Sequence, residues 1–340
     1  MSDLTRHATW REIHAQPGIW RDWGAALDVE ALRDWVYAQA ADEVWFCGAG
    51  TSAYIGDILA AGFEGRAGFR AVPTTDLVAR PAAFLKGRAP LVVSFGRSGN
   101  SAESLGTLAA LDALAPDAPR LHITCNEGGA LARDEKARVV LLPEATHDAG
   151  FAMTSSFSTM LLTALAIFGE RPDFNGLADA LDAALPAFAD PGPVPERVVY
   201  LGTGPLAFAA REAALKVLEL TAGRVPALWD STLGFRHGPK SFVTQGTAIT
   251  VFASDNAYDR DLIAELRAQF PQARVTTIGP GGDVPLTLDP LAGAPVYVAA
   301  SQVAAVIWAD ALGCNVDDPF AGAGTLSRVV SDVTLYPVAS

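Results

Sequence analysis

A chain of 340 residues exceeds the usual size of one domain and predicts two. Hydrophobic residues make up 50% of it and charged residues only 19%, which excludes a disordered or fibrous protein. The net charge of −13 argues against a nucleic-acid-binding protein or a basic protein of the membrane surface. The protein can still bind an anionic small molecule, provided that the local potential at the binding site outweighs the negative potential of the whole protein.

The cysteines and the N-terminal residues indicate the cellular compartment of the protein. The three cysteines are far apart in sequence and form no CxxC pair, which predicts reduced thiols. Residues 1–14 are polar and lack the apolar stretch of a secretory signal. The most apolar stretch, residues 294–313, contains Gln302 and Asp310, so we predict a buried strand and helix rather than a membrane span. We therefore expect a cytoplasmic protein without membrane contact.

Apolar runs alternate with alanine-rich runs in the first half of the chain, which predicts strands separated by helices. Strands are predicted at residues 43–47, 69–72, 90–95, 121–125 and 138–142. Helices are predicted at residues 53–64, 100–114, 129–135, 151–169 and 175–188. The strands lack polar alternation, which is typical of a parallel sheet covered by helices on both faces.

The same alternation restarts after residues 190–196, where three prolines and a glycine predict a linker. Strands are predicted at residues 197–201, 247–253, 274–278 and 294–298, and helices at 205–222, 259–270 and 301–312. The run VWFCGAGTS at 44–52 resembles VVYLGTGP at 198–205, which predicts an internal duplication of one α/β unit. We expect an N-terminal helical arm at 1–40, a first domain at 41–190 and a second domain at 191–340.

Two loops of the first half join a strand to a helix and carry hydroxyl side chains. They are GAGTS at 48–52 and SFGRSGNS at 94–101. In a doubly wound sheet such loops meet at the carboxyl edge, where ligands bind. Hydroxyl groups and the free N–H groups of a helix N-terminus suit a phosphate monoester. The alternative is two plain turns, with Ser101 serving as a helix cap.

A helix and a loop of the second half carry candidate acid–base groups. Glu212, Lys216 and Glu219 are spaced i, i+4 and i+7 and share one helix face. This face is either a carboxylate held over a cleft and kept ionised by the lysine, or a solvated ladder of ion pairs. The loop LGFRHGPKS at 233–241 places His237 between basic residues. Because no pair of His or Cys residues has metal-ligand spacing, we expect no metal.

Together these motifs resemble the sugar isomerase (SIS) fold family in its two-domain form. The resemblance covers nearly the whole chain and rests on GAGTS at 48–52, SFGRSGNSAES at 94–104, FAMTSSFS at 151–158, EAALKVLELTAG at 212–223 and FRHGPKS at 235–241. The last three motifs, and TWREIHAQPGIW at 9–20, look like the D-galactosamine-6-phosphate deaminase branch, also called tagatose-6-phosphate ketose/aldose isomerase. The fold implied is α/β, with two flavodoxin-like SIS domains, each a doubly wound parallel sheet, in tandem.

The resemblance implies a role for individual residues. The implied phosphate ligands are Thr51, Ser52, Ser98 and Ser101, and the implied sugar contacts are Gly50, Asn100, Thr154 and Ser155. Glu219 looks like the enolising base, with Lys216 beside it. His237 looks like the ring-opening residue, which in such folds comes from the neighbouring subunit, so a homodimer is the smallest assembly expected.

The implied reaction converts D-galactosamine 6-phosphate to tagatose 6-phosphate and ammonia, with water hydrolysing a C2 imine and no cofactor required. The alternatives are glucosamine-6-phosphate deamination, another aldose–ketose phosphosugar isomerisation, and a non-catalytic phosphosugar sensor. Having both Glu219 and His237 speaks against the sensor, which needs no base. Amide transfer is not expected, because the sequence leaves no room for a glutaminase domain and Arg328 is the only basic residue of its C-terminal tail.

Overall fold

The computed structural model describes residues 3–324, 326–331 and 333–338. The chain divides into two compact units, neither of which is continuous in sequence. The first-sheet unit comprises Ile19–Asp148, Ser155–Pro172 and the chain after Gly324, and the second-sheet unit comprises the chain up to Gly18, Ala149–Thr154 and Asp173–Gly324. The units do not coincide with the expected divisions after residues 40 and 190, because each gathers three separate segments of the chain.

The first-sheet unit is built on a five-stranded parallel sheet of order β2-β1-β3-β4-β5. Helix α1 (Ala8–Ala26) contains the division between the units. The strands are β1 (Val44–Cys47), β2 (Phe69–Ala71), β3 (Leu91–Gly96), β4 (Arg120–Thr124) and β5 (Ala137–Leu141). The other helices of this unit are α2 (Val29–Ala38), α3 (Thr51–Gly62), α4 (Thr74–Ala79), α5 (Pro81–Leu85), α6 (Ala102–Leu114) and α7 (Ser155–Phe168).

Helices cover both faces of this first sheet, which explains why its strands read as continuous apolar runs. Trp45 and Val92 lie in one buried cluster with Leu111 of α6. On the opposite face, Phe46 packs edge-on against Phe168 of α7, with ring centroids 5.4 Å apart. Neighbouring positions on β1 therefore point into different helical layers, as the two-residue period of a strand requires.

The second-sheet unit repeats the same architecture with the order β10-β9-β8-β6-β7. Its strands are β6 (Arg197–Gly202), β7 (Ala227–Ser231), β8 (Thr247–Phe252), β9 (Arg274–Gly279) and β10 (Val284–Pro285). Its helices are α8 (Phe174–Phe188), α9 (Pro205–Leu220), α10 (Ala257–Gln269) and α11 (Ala294–Ala311). Read from the second strand of each sheet, both orders are 2-1-3-4-5.

The duplication extends to the backbone of the first strand-to-helix turn in each sheet. Gly50 before α3 has φ 55° and ψ −130°, and Gly204 before α9 has φ 59° and ψ −129°. A positive φ of this kind favours glycine because it lacks a Cβ atom. A methyl group at Gly48 would come within 2.5 Å of the Ser52 backbone, and at Gly202 within 2.4 Å of the Leu206 backbone. The two Gly-x-Gly turns are therefore one conformation used twice.

The predicted α/β fold with a parallel sheet in each half is confirmed, but two predicted elements are wrong. Residues 294–298 are not a strand; they form the first turns of α11, with Pro295 at its N-terminus. A fully apolar run of valines and alanines cannot be assigned to strand or helix by periodicity alone. Residues 129–135 are turns rather than a helix. By length and composition α11 could span a membrane, but 83% of it is buried, as in a core helix of a globular protein.

A buried ionic network holds β4 and the turns that follow it. Arg120 is 1% exposed and its guanidinium donates to Asp134 at 3.3 Å and to Asp112 at 2.6 Å. His122 is fully buried, and its Nε2 lies 3.1 Å from the same Asp134 carboxylate. The hydrogen bond from His122, reinforced by the charge of Arg120, holds the pKa of Asp134 far below its usual range.

We expect Asp134→Asn to lower the free energy of unfolding at pH 7 by about 1.5–3 kcal/mol, because a charged hydrogen-bond partner is lost. A depressed carboxyl pKa stabilises the fold above the unfolded value of about 3.9, and this contribution is lost as the pH falls through the folded value. The difference between the urea midpoints of wild type and variant should therefore stay constant from neutral pH down to about 5 and shrink below about 4. Asp117→Asn, at an exposed turn, is the control; a pH-independent difference would exclude Asp134 as the titrating group.

Candidate active site

The turn from β1 into α3 places a helix N-terminus at the carboxyl edge of the first sheet. Thr51 and Ser52 form its first turn and are only 4% and 5% exposed. No side chain caps α3 at Gly50. The positive end of the α3 dipole therefore lies at this sheet edge, where it favours an anion.

The loop from β3 into α6 is tied down by hydrogen bonds to the loop after β4. Asn126 Nδ2 donates to the Ser98 carbonyl at 2.7 Å, and the Ala130 N–H donates to Asn100 Oδ1 at 2.8 Å. Gly99 has φ 64° and packs against Leu131. The loop is held in one conformation, so its hydroxyl groups are preorganised.

The two serines of this loop already make local hydrogen bonds. Ser101 caps α6, since its Oγ accepts from the Ser104 N–H at 3.2 Å, and Ser98 Oγ accepts from the Asn100 N–H at 3.2 Å. Ser98 thereby uses only its acceptor capacity and keeps its proton to donate. Ser101 Oγ also lies 2.9 Å from Ser104 Oγ, and either hydroxyl of that pair can be the donor. Ser101 is therefore the cap of α6, and its contact with a ligand stays a prediction.

Strand pairing brings these two loops together. Strands β1 and β3 are direct parallel neighbours, with Cys47 opposite Ser94. Neighbouring strands lie about 4.8 Å apart, so the loops that follow them emerge side by side. Gly50, Thr51 and Ser52 thus share one sheet edge with Ser98 and Asn100, as the sequence predicted for adjacent strand ends.

Positive charge collects beside these loops, a feature that sequence reasoning missed. Arg97 is only 7% exposed, and its guanidinium donates to the Arg328 carbonyl at 3.3 Å. Burial, together with the charges of Arg328 and Arg97, lowers the pKa of His147. These cations supply the local field that an anion needs in a chain of net charge −13. The signal was present, since Arg97 stands inside the serine-rich loop, but its neighbours come from distant parts of the sequence.

Thr154 and Ser155 are both fully buried. Ser155 begins α7, and its N–H donates to the buried carboxylate of Asp148 at 2.9 Å. Ser156 donates to the same carboxylate from its N–H and from its hydroxyl, the latter at 2.5 Å. Asp148 is therefore the cap of α7, and sugar contact by Thr154 and Ser155 stays a prediction.

In the second-sheet unit, the acid–base residues of α9 form a buried ion triplet rather than a solvated ladder. Lys216 is fully buried, and its Nζ lies 2.5 Å from Glu219 Oε2 and 3.2 Å from Glu212 Oε1. Burial alone would lower the pKa of Lys216, but the two carboxylates outweigh it and the pKa is raised. The lysine therefore stays protonated at neutral pH.

The two carboxylates differ in access to solvent. The Glu212 side chain is fully buried, whereas that of Glu219, in the last turn of α9, is 20% exposed. Only Glu219 can therefore reach a molecule outside the protein while keeping its contact with Lys216. The spacing in sequence could not show this difference between the two acids.

The loop that carries His237 is anchored on both sides of the histidine. Phe235 is fully buried in the core below β6 and β8. The side chains of Arg236 and Lys240 both bind the carboxylate of Glu265 on α10. The imidazole of His237 itself is exposed and, within the described ranges, makes no hydrogen bond or ion pair. The loop thus presents an uncommitted imidazole on a fixed backbone.

The carboxyl edge of the second sheet differs from that of the first. Pro205 and Leu206 stand where the first turn has Thr51 and Ser52. The space beside this turn holds the buried carboxylate of Asp259, which accepts from the hydroxyl of Thr203 at 2.8 Å and from the N–H and hydroxyl of Ser254 at 2.9 and 2.8 Å. The donors at this second sheet edge are thus bound to an internal anion.

Known proteins match this chain in two ways, through a family model in its first half and through relatives along nearly its whole length. Residues 38–168, which include both hydroxyl-bearing loops, match the family model described as SIS domain. The D-galactosamine-6-phosphate deaminase AgaS of Escherichia coli is 39% identical to this chain, and the match covers 97% of the chain and 96% of that protein. The chain belongs to the SIS family.

Solved structures show that the two sheets of this SIS protein are tandem SIS domains. A tagatose-6-phosphate ketose/aldose isomerase from Escherichia coli has a TM-score of 0.87 and 36% identity, with 99% of each chain covered. A glucosamine-6-phosphate deaminase from Thermotoga maritima has a TM-score of 0.78 at 24% identity, with 96% of this chain and all of that chain covered, and shares the fold.

We expect Lys216→Met to lower the free energy of unfolding by about 3–5 kcal/mol, because it leaves two carboxylates without their cation. The double variant Lys216→Met/Glu212→Gln should recover part of this loss, since it removes the fully buried charge. Urea unfolding of the single and double variants measures both values. Lys86→Met, at an exposed lysine, is the control. A single variant as stable as wild type would contradict the buried triplet.

Proposed function

We propose that this SIS protein converts D-galactosamine 6-phosphate to tagatose 6-phosphate and ammonia. The similarity to proteins named as D-galactosamine-6-phosphate deaminase and tagatose-6-phosphate isomerase supports a phosphosugar isomerase or deaminase. The observation that carries the chemistry is the Lys216–Glu219 pair, in which a buried ammonium lies 2.5 Å from a carboxylate that stays partly open to solvent.

Glu219 acts as the general base on the open-chain aldehyde form of the sugar. It removes the proton from C2, so that the electrons form a C1–C2 double bond and the C1 oxygen takes a proton. The same carboxylic acid then returns the proton to C1, while the amine nitrogen releases one N–H proton to water and so balances the proton gained by the C1 oxygen. These transfers leave a hydroxymethyl group at C1 and an imine at C2. General acid–base steps of this kind contribute about 10²–10⁴-fold each.

Hydrolysis by water completes the reaction after the proton transfers that Glu219 catalyses. It adds to the C2 imine, and ammonia leaves to give the C2 ketone of the ketose phosphate. Atoms and charge balance without an oxidant, a reductant or a cofactor. A substrate with a hydroxyl group at C2 would undergo the same proton transfer and stop at the ketose, so isomerase and deaminase share one mechanism.

The remaining predicted residues have supporting roles. The hydroxyl and N–H groups of Thr51, Ser52, Ser98 and Ser101 would hold the phosphate, with Arg97 supplying positive charge. Binding energy from this remote group orients C1 and C2 at the base. His237 would move the proton that opens the sugar ring, and its exposed imidazole has no competing partner in the described parts of the chain.

We also infer a homodimer in the cytoplasm. His237 would act on the substrate of the neighbouring subunit, which accounts for an anchored loop that displays its imidazole outward. The three cysteines are free, and burial raises the pKa of Cys47 and Cys125 to about 12, so both stay protonated and unreactive. Free thiols of this kind fit a reducing compartment.

The substrate is decided by measuring ammonia release from galactosamine 6-phosphate and glucosamine 6-phosphate side by side, without added metal. We expect ammonia from the galacto sugar, with an equal amount of ketose phosphate. A preference for the gluco sugar would replace the proposed substrate. Release from neither sugar, with thermal stabilisation by both, would favour the phosphosugar sensor.

We expect Glu219→Gln to lower kcat by about 10²–10⁴-fold while phosphosugar affinity stays within about tenfold, because the amide cannot accept the C2 proton. Binding is measured by isothermal titration and turnover by ammonia release. Glu30→Gln, at a glutamate whose side chain is 81% exposed, is the matched control and should keep full activity. Near-normal kcat in Glu219→Gln would refute the assignment of the base.

A further inference from the structure

A cleft of about 270 Å³ opens in the second-sheet unit between its sheet and the helices α8 and α11. Its floor is a row of three side chains, since Tyr200, Thr250 and Thr276 are paired neighbours on β6, β8 and β9. Paired residues of adjacent strands project from the same face of a sheet. The floor thus carries three hydroxyl groups in line.

The opposite wall of the cleft is apolar, and most of its length is lined by small side chains. Ala300, Ala304 and Trp308 are spaced i, i+4 and i+8 on α11, so one stripe of that helix faces the cleft. Two alanines leave room that larger side chains would fill. Trp308 Nε1 donates to the Gly192 carbonyl at 3.1 Å, which fixes the indole at one end of the cleft.

Two polar groups of this cleft have donors that the protein does not use. Tyr200 is 2% exposed as a residue, and its hydroxyl makes no hydrogen bond within the described ranges. Arg274 is half-buried and pairs with no carboxylate in the same part of the chain; its one hydrogen bond runs from Nη1 to the Pro193 carbonyl at 3.3 Å. A tyrosine hydroxyl has one donor and a guanidinium has five, so both groups can donate to a molecule in the cleft.

The charges around the cleft favour one class of ligand. Arg274 is its cation, and the exposed Asp190 near it is its nearest acid. Burial lowers the pKa of Arg274, but an arginine starts from so high a value that it stays a cation at pH 7. Burial raises the pKa of Tyr200, which therefore stays a neutral donor. A single guanidinium matches a carboxylate in bidentate geometry, and Asp190 disfavours a dianion such as phosphate.

We propose that this cleft is a second ligand site, distinct from the sugar phosphate site, which binds a small monocarboxylate with an apolar body. The carboxylate pairs with Arg274 and accepts from the Tyr200 hydroxyl, while the body lies between the threonines and the alanine stripe of α11. A methyl group at Gly192 would come within 2.3 Å of the Arg274 guanidinium, so glycine at that position allows the arginine to lie against the linker.

The test is a titration of the full chain with benzoate and with acetate at constant ionic strength, followed by ligand-observed NMR. We expect saturable binding of benzoate and weaker binding of acetate, because the larger body buries more apolar surface. Inorganic phosphate should not compete. Absence of saturable benzoate binding, or displacement of benzoate by phosphate, would overturn the proposal.

Variants locate the binding within the cleft. Arg274→Gln should weaken benzoate binding at least tenfold and Tyr200→Phe several-fold, as expected for charged and neutral hydrogen bonds. Benzoate affinity unchanged in Arg274→Gln would also overturn the proposal. If Arg274→Gln does not fold, Thr250→Trp, which fills the cleft from its floor, gives the same expectation of lost binding. Because the readout is binding rather than ammonia release, the outcome is independent of the proposed reaction.

Discussion

The burial of Lys216 between two carboxylates is the constraint on which the arrangement of helix α9, and with it the proposed chemistry, depends. A cation removed from water is tolerated only when opposite charges compensate for its lost hydration, and Glu212 and Glu219 do so on the same helix. The triplet is asymmetric, because the Glu212 side chain is fully buried whereas that of Glu219 is 20% exposed.

The two halves of the chain show how one fold can be used in two ways. Gly50 and Gly204 have nearly the same φ and ψ and begin equivalent helices. In the first sheet this turn is followed by hydroxyl groups and faces a loop with a buried arginine. In the second sheet, hydroxyl groups of Thr203 and Ser254 bind Asp259 of the chain itself. The two sheet edges therefore share a backbone conformation but differ in the side chains placed on it.

Most of the fold followed from local patterns, and the predictions failed where the pattern of apolar and polar residues was ambiguous. Strand β3 and helix α6 were predictable because an apolar run, a glycine turn and a capping serine stand next to one another in sequence. Residues 294–298 were assigned to a strand because valine-rich apolar runs are ambiguous, and burial of α11 on all sides removes the polar face that would have revealed a helix. Strand β7 was missed because its five residues are only partly buried and mix polar with apolar side chains.

The sequence by itself determined the α/β alternation, the duplicated Gly-x-Gly turns, the family resemblance and the shared face of Glu212, Lys216 and Glu219, because each of these depends on residues within a few turns of one another. Only the tertiary structure decided that Lys216 is buried, that Glu219 is the carboxylate open to solvent and that Arg97 meets the backbone of Arg328. Burial and long-range contact depend on what other segments pack against a residue, and no local spacing carries that information.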